Sequence, residues 1–242
     1  MNMLQNQFEK TFSTNTQDQS IAKTFMSTVF IWMFLALGIT ALTAYLFASS
    51  PSLISMLYTE TGLSILGWVV MLAPFGLVMF ISFRFQQMSL ANLSLMFLIY
   101  SILMGMSLSF ILLVYTQSSV FSTFIVTSGT FGLMALVGYT TNTDLTKFGS
   151  ILFMALIGII LASVVNFFMH SGTLEYIISI AGVLIFTGLT AYDVQKLKRI
   201  GLATGEYEGQ AKDKLAIMGA LTLYLDFINL FLFLLRFLGN RK

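Results

Sequence analysis

The feature that most constrains this chain is a pair of aspartates associated with strongly apolar segments. Asp193 closely follows the apolar stretch Gly172–Ala191, and Asp226 lies in the middle of another, Leu215–Leu238. Placing a carboxylate at membrane depth costs on the order of 2.5–3.5 kcal/mol on insertion scales. Such a side chain usually faces a protein interior or a water-filled cavity, so a functional role is the default hypothesis. Neighbouring helices could bring the two carboxylates together.

The composition indicates a membrane protein. Hydrophobic residues make up 57% of the 242 residues and charged residues only 9%, against roughly 25% charged in an ordinary soluble domain. The absence of cysteine excludes disulfides, a thiolate nucleophile and sulfur-based metal sites. A single histidine, His170, excludes a histidine-rich metal cluster. We therefore expect no resident cofactor.

Apolar segments separated by short polar breaks predict seven transmembrane helices, since a spanning helix needs about 20 apolar residues. We expect an all-α integral membrane protein with a polar cytoplasmic tail at 1–23, a membrane domain at 24–238 and a short basic tail at 239–242. The longest predicted break is Gln195–Asp213. The predicted helices are Thr24–Ala48, Leu63–Phe83, Ala91–Val114, Val120–Tyr139, Gly149–Met169, Leu174–Tyr192 and Lys214–Leu238.

The basic residues favour a cytoplasmic N-terminus, because lysine and arginine concentrate in cytoplasmic loops. In that orientation the outer loops between helices hold no basic residue, whereas the inner segments hold Lys10, Lys23, Arg84, Lys147, Lys196, Lys198, Arg199, Lys212 and Lys214. Seven full spans place Arg236, Arg241 and Lys242 outside. Either this outer basic end is tolerated, or the last segment re-enters and the tail returns to the cytoplasm.

Two stripes of small residues predict close helix packing. Ser101, Gly105 and Ser109 recur every four residues, and so do Gly158 and Ala162. Small residues on one face let helices approach closely in lipid.

Two carboxylates that meet in a low-dielectric interior cannot both ionise easily, so the pair would share a proton. Asn229 lies three residues after Asp226, on the same helical face, and could line the same site. Calcium normally takes six to eight oxygens, so Asp193 and Asp226 would hold Ca²⁺ only weakly and transiently. The alternative is a structural role, with Lys196 or Lys198 satisfying Asp193.

Other polar residues have simpler explanations. Arg84 at the end of the second apolar segment is typical of a side chain that extends to the headgroups, although it is long enough to reach a carboxylate inside the bundle. Arg236 is typical of an interfacial anchor. A lone histidine such as His170 at a helix end is more often incidental than a ligand.

Three segments carry a resemblance to a known family. The run Gly188–Lys198, Gly-Leu-Thr-Ala-Tyr-Asp-Val-Gln-Lys-Leu-Lys, resembles the signature of the Bax-inhibitor family of multi-spanning membrane proteins. Residues Ala220–Phe231, followed by Leu-Leu-Arg at 234–236, are similar to that family's last helix. Gly105–Ser109 with Tyr115-Thr116 fits its third helix.

The resemblance implies a seven-helix bundle with the last helix central, in the bacterial cytoplasmic (inner) membrane. It implies a non-enzymatic calcium leak whose open state depends on pH, with Asp193 and Asp226 as the hydrogen-bonded pH sensor. Arg84 is the expected closed-state partner of that pair. A glutamate that some members carry in the second helix is absent here. The implied partners are the lipid bilayer, Ca²⁺ and H⁺, and a membrane-anchored ATP-dependent protease.

Two other functions stay open. Intramembrane aspartyl proteases also place Tyr-Asp on one helix, as at Tyr192-Asp193, but their second aspartate follows Gly-x-Gly, whereas Asp226 follows Leu-Tyr-Leu. The chain could instead be a non-transporting regulator of the protease or of another membrane complex, with the polar N-terminal tail as its contact, because disordered tails often bind partners.

Overall fold

The computed structural model describes residues 2–60, 62–203 and 209–242, and for residues 2–18 the backbone alone. These residues form eight helices and one short antiparallel hairpin. The helices are α1 (Asn2–Ser49), α2 (Pro51–Leu57), α3 (Ile65–Arg84), α4 (Leu90–Val114), α5 (Gln117–Thr140), α6 (Thr146–Met169), α7 (Gly172–Ala203) and α8 (Gln210–Leu238); the hairpin strands are β1 (Tyr58–Thr59) and β2 (Gly62–Leu63).

Within the described ranges, seven helices are long and apolar enough to cross a membrane, and only α2 is too short. The predicted all-α membrane bundle of seven helices is confirmed. The first span lies within α1, whose helical backbone begins at Asn2. The helix α2 and the hairpin fill the first connection, which the sequence did not reveal.

The predicted break at Gln195–Asp213 is wrong over much of its length, because α7 continues to Ala203 and α8 begins at Gln210. The cause is tertiary packing. Leu197 is buried and lies against Gly219 of α8, and Gly201 lies against Phe25 of α1. An apolar face therefore extends α7 through a sequence rich in lysine and arginine.

The first stripe of small residues packs α4 against α1, as predicted. Thr40 of α1 donates its hydroxyl to the Ser101 carbonyl at 2.9 Å, and a Cβ at Gly105 would lie 2.6 Å from the Thr40 carbonyl oxygen. The second stripe does not pack in this way. Gly158 is exposed, and no described residue comes within 4 Å of a Cβ placed there. This difference follows from the location of α6, whose principal contacts are with α7.

Burial differs sharply between the spans. In the most apolar 18-residue stretch of α8, 67% is buried, the largest share among the described spans. Helix α8 contacts α1, α4, α5 and α7. In α6 only 6% is buried. Helix α6 therefore exposes most of its length to the surroundings of the bundle.

Seven alternating spans define two faces of the bundle. We call the end that holds the α3–α4, α5–α6 and α7–α8 connections the N-terminal face, and the opposite end the C-terminal face. The Lys242 amide donates to the Val114 carbonyl at 2.8 Å, and the Thr116 amide donates to the Asn240 carbonyl at 3.1 Å. These bonds hold the C-terminal tail against the α4–α5 connection, so the last helix does not re-enter.

The basic C-terminal residues are neutralised at that face. Glu175 in the first turn of α7 lies 3.9 Å from Arg236 and 3.4 Å from Arg241. Arg241 also bonds to Tyr115, and this contact is the largest cause of a pKa raised above the usual arginine value. These contacts give a physical reason why a basic end is tolerated on the face opposite the basic loops.

Candidate functional site: an aspartate pair beside a groove along α6

The structure brings Asp193 and Asp226 together. Asp193 is half-buried on α7 and Asp226 is buried on α8, with 5% of its surface exposed. Their carboxyl groups lie within hydrogen-bond range of each other. Two residues far apart in the sequence thus form one site between two neighbouring helices.

The carboxyl of Asp226 has an unusual environment. Its Oδ2 is fully enclosed, and no described hydroxyl, amide or ammonium group donates to it. A buried acceptor without a donor costs about 1–3 kcal/mol. A proton held between the two carboxyls removes that cost, because a protonated carboxyl becomes a donor to its neighbour. The geometry therefore suits a pair that shares one proton, and the state of the pair changes when that proton leaves.

Close packing of α7 fixes the location of Asp193. A Cβ at Gly138 of α5 would overlap the carbonyl of Ala191, and one at Gly149 of α6 would overlap the ring of Tyr192. Only glycine allows these approaches. Residues 191 and 192 are thereby held against the ends of α5 and α6 nearest the N-terminal face, which fixes the residue that follows.

A groove of about 1290 Å³ runs beside the pair. Its lining on α6 extends from Gly149 to Phe168, which at 1.5 Å per residue is about 28 Å. That length approaches the thickness of the hydrocarbon core, about 30 Å. Near the N-terminal face the lining is polar, with Ser150, Asp193 and Lys196; toward the C-terminal face it is aromatic and aliphatic, with Phe167, Phe168, Phe186 and Phe233.

Asn229 lines the same groove, as expected from its spacing. Its amide nitrogen donates to the Leu225 carbonyl at 2.8 Å, and Thr222, one turn before Asp226, lines the groove as well. The polar part of the groove thus combines two carboxyls, an amide and a hydroxyl. Such oxygens suit a passing hard cation. The described residues contain no group of three or more His, Cys, Asp or Glu side chains that could hold a metal ion.

The two lysines near the pair, Lys196 and Lys198, make different contacts. Lys198 donates to the Tyr139 carbonyl at 2.8 Å and lies over the Tyr139 ring. Its ammonium therefore binds the C-terminal end of α5 and does not neutralise Asp193. Lys196 acts electrostatically on Asp193. Across the described residues its ammonium forms no ion pair within 4 Å; it faces the Tyr192 ring at 6.0 Å.

Arg84 lies apart from the pair in this structure. Its side chain is exposed at the end of α3 and donates to Oε1 of Gln87 at 2.8 Å. Its role as a closed-state partner stays a prediction about another conformer. His170 ends α6 in a left-handed conformation with φ 52°, exposed on the C-terminal face, far along the chain from either aspartate.

A polar cluster at the N-terminal face was missed by the sequence analysis. Gln195 is buried and bonds both to the Thr143 carbonyl and to the Leu145 amide. Asp144 accepts bonds from the hydroxyl and amide of Thr146 and from Arg199, which together hold its pKa at about 2, below the ordinary 3.8. No sequence signal pointed to this cluster, because Gln195 lies within the stretch that composition predicts as a break.

Comparisons with known proteins cover nearly the whole chain. A model of the family described as "Inhibitor of apoptosis-promoting Bax1" matches residues 22–242. The chain is 46% identical over 226 residues to the inner membrane protein YbhL of Escherichia coli (strain K12), covering 93% of this chain and 95% of that protein. It is 41% identical over 239 residues to an uncharacterized protein of Rickettsia prowazekii, covering 97% and 98%. An uncharacterized protein of Borreliella burgdorferi is 44% identical over 226 residues, covering 93% and 96%.

Proposed function

Because this chain belongs to the Bax-inhibitor family of membrane proteins, we propose that it is a calcium leak of the bacterial inner membrane whose opening responds to pH. The inner-membrane location is drawn from the name of the Escherichia coli relative. In this proposal Asp193 and Asp226 form the pH-responsive element, and Ca²⁺ is the cargo of the protein, with no resident cofactor.

The observation that carries the proposal is the enclosed carboxyl of Asp226 facing Asp193 at the side of a groove nearly as long as the membrane is thick. A carboxyl pair is retained in such an apolar bundle only at a cost in insertion energy. A purely structural pair would not need to face a groove. The carboxyls of Asp193 and Asp226 and the amide oxygen of Asn229, which all line the groove, are the groups that attract a cation.

Proton and calcium compete for the same oxygens in this mechanism. A pair that shares a proton carries one negative charge, and loss of that proton adds a second. Each protonation state favours the conformer in which its charge is better compensated, so pH shifts the balance between conformers. Ca²⁺ entering the groove contacts Asp193, Asp226 and Asn229 in passing, a ligand set too small for tight binding.

Arg84 supplies compensation in the closed conformer under this proposal. In the present structure its guanidinium is bonded to Gln87, so contact with the pair requires that bond to break. Such a contact would be specific to one conformer, and this is the condition for an effect on gating.

The test is calcium entry into liposomes that contain the purified full-length chain, followed with an enclosed calcium dye between about pH 5 and 8, where a carboxyl pair with coupled titration can change state. Protein-free liposomes give the background, and an ionophore gives the full signal. A flux that exceeds background and changes with pH supports the proposal. Background flux at every pH in correctly folded protein would refute it.

A second candidate function is regulation of a membrane-anchored ATP-dependent protease, and one observation favours it. Residues 2–18 of α1 are predominantly polar in the sequence, whereas the residues from Thr24 onward are predominantly apolar. The helical extension offers a contact outside the bilayer. Deleting residues 2–18 distinguishes the two functions, because a leak survives the deletion and a regulator that acts through this extension loses its effect on proteolysis.

A further inference from the structure

Two cavities meet beside α7 at the N-terminal face. The groove of about 1290 Å³ extends from this face along α6. A smaller cavity of about 300 Å³ lies between Thr146 at the start of α6 and Arg199 on α7. Tyr192 and Lys196 line both cavities. A molecule with a polar head and a long apolar tail therefore fits the two cavities together.

The groove is open to the surroundings of α6. Its α6 lining includes Phe153, Met154 and Ile160, which are 59%, 63% and 53% exposed. In a bilayer this surface contacts hydrocarbon, and in that environment the preferred occupant of an apolar groove is an acyl chain. The lining on the inner side of the groove is also apolar, with Leu189, Leu225 and Phe233.

The smaller cavity has the charge that suits an anion. Arg199 is paired with Asp144 at 2.8 Å, so these two charges compensate each other. Lys196 remains, without an ion pair within 4 Å in the described parts of the chain. Lys196 also interacts electrostatically with Asp193. A lysine next to a tyrosine is typical of the headgroup level of membrane proteins.

We propose that these two cavities bind one anionic phospholipid from the leaflet at the N-terminal face. Its phosphate contacts Lys196 in the smaller cavity, and one acyl chain lies in the groove along α6, over the opening beside Asp193 and Asp226. The bound chain occupies the space that a cation would need to reach the pair. This inference goes beyond the leak, because lipid binding can be measured without any flux.

The test titrates phosphatidylglycerol into the full-length chain in detergent and counts bound lipid by native mass spectrometry. Lys196→Gln should weaken binding about fivefold, the fold-change that corresponds to about 1 kcal/mol per basic residue at an anionic lipid surface. Lys196→Arg keeps the charge and should retain binding. Lys23→Gln is the matched control, because Lys23 is exposed on α1 toward the same face and lines neither cavity. Unchanged thermal unfolding in detergent verifies that each variant is folded.

Two further arms separate the lipid from simpler ligands. Phosphatidylcholine should bind more weakly than phosphatidylglycerol, and glycerol phosphate without acyl chains should not compete. A photoreactive acyl chain should label α6 at groove residues such as Phe153 and Met154. Equal binding by Lys196→Gln, full competition by glycerol phosphate, or labelling that avoids α6 would each overturn the proposal.

Discussion

The hydroxyl of Tyr224 on α8 lies 2.8 Å from Oγ1 of Thr40 on α1, in a fully enclosed part of the bundle. Because Thr40 donates to the Ser101 carbonyl on α4, the tyrosine must be the donor to the threonine. One hydroxyl thus links three helices. Asp226 lies two residues beyond Tyr224 on α8, and this network holds the opposite side of the helix that carries it.

Tyr224→Phe should lower the free energy of unfolding by about 0.5–1.5 kcal/mol, the net contribution of one hydrogen bond. Thr40→Val should cost more, about 1–3 kcal/mol, because it leaves the buried hydroxyl of Tyr224 without an acceptor. Reversible unfolding in mixed micelles measures both. If Thr40→Val were the milder substitution, the network would not be a three-helix link.

Two glycines in successive helices, α5 and α6, lead to opposite predictions. A Cβ at Gly138 would overlap the backbone of Ala191, whereas one at Gly158 meets nothing within 4 Å. Gly138→Ala should therefore destabilise the bundle by about 1–3 kcal/mol through overpacking. Gly158→Ala, the matched control, should be neutral or stabilising by up to about 1 kcal/mol through helix propensity. Equal unfolding free energies for the two variants would contradict the close contact between α5 and α7.

The topology can be tested with single cysteines, since the chain contains none. Ser118 is exposed at the C-terminal face and Asn142 is exposed at the N-terminal face, whereas Ser119 is buried and unsuitable. With a cytoplasmic N-terminus, Ser118→Cys should react with an impermeant thiol reagent added to intact cells. Asn142→Cys should react only after permeabilisation. The reverse pattern would invert the predicted orientation.

The sequence predicted most of the fold because long apolar runs have few alternatives in a bilayer. It failed where packing overrides composition. The residues from Gln195 to Ala203 look like a loop but belong to α7, since Leu197 and Gly201 pack against α8 and α1. Gly158 looked like a packing residue, yet no residue in the described parts of the chain contacts α6 at that position.

The candidate site was predictable in part. The meeting of Asp193 and Asp226 followed from the cost of carboxylates in apolar helices, and the family membership followed from the motifs around them. The groove was not predictable, because it depends on how α6, α7 and α8 pack against one another. Nor was the engagement of Lys198 with Tyr139, which depends on where α5 ends relative to α7.

Arg84→Ala tests the proposed closed-state contact. Removing a charged hydrogen bond worth about 1.5–3 kcal/mol should raise the basal calcium leak about tenfold or more if that bond is specific to the closed conformer. Gln87→Ala is the control, because it breaks the contact seen here and keeps the arginine. It should not raise the leak. Equal leaks in wild type and Arg84→Ala at all pH values would leave Arg84 an interfacial anchor.

The pH response of the pair can be separated from that of Asp144. The folded-state pKa of Asp144 is depressed to about 2 from 3.8, so its contribution to stability is fully present above about pH 4 and is lost only as the pH falls toward 2. Asp144→Asn should therefore leave the shape of the flux profile between about pH 5 and 8 unchanged. His170→Asn is the control for the single histidine, because asparagine tolerates the left-handed backbone at this position. It should also leave the shape of the profile unchanged.

The most direct test of the account is the pH profile of calcium flux in liposomes for Asp193→Asn and Asp226→Asn. Each substitution keeps the size of the side chain and removes its titration, and a coupled titration needs both members. We predict that either single variant loses or strongly shifts the pH dependence, and that the double variant adds little, as expected for residues that act as a unit. A steep profile that persists unchanged in both single variants would contradict the assignment of the pair as the pH sensor.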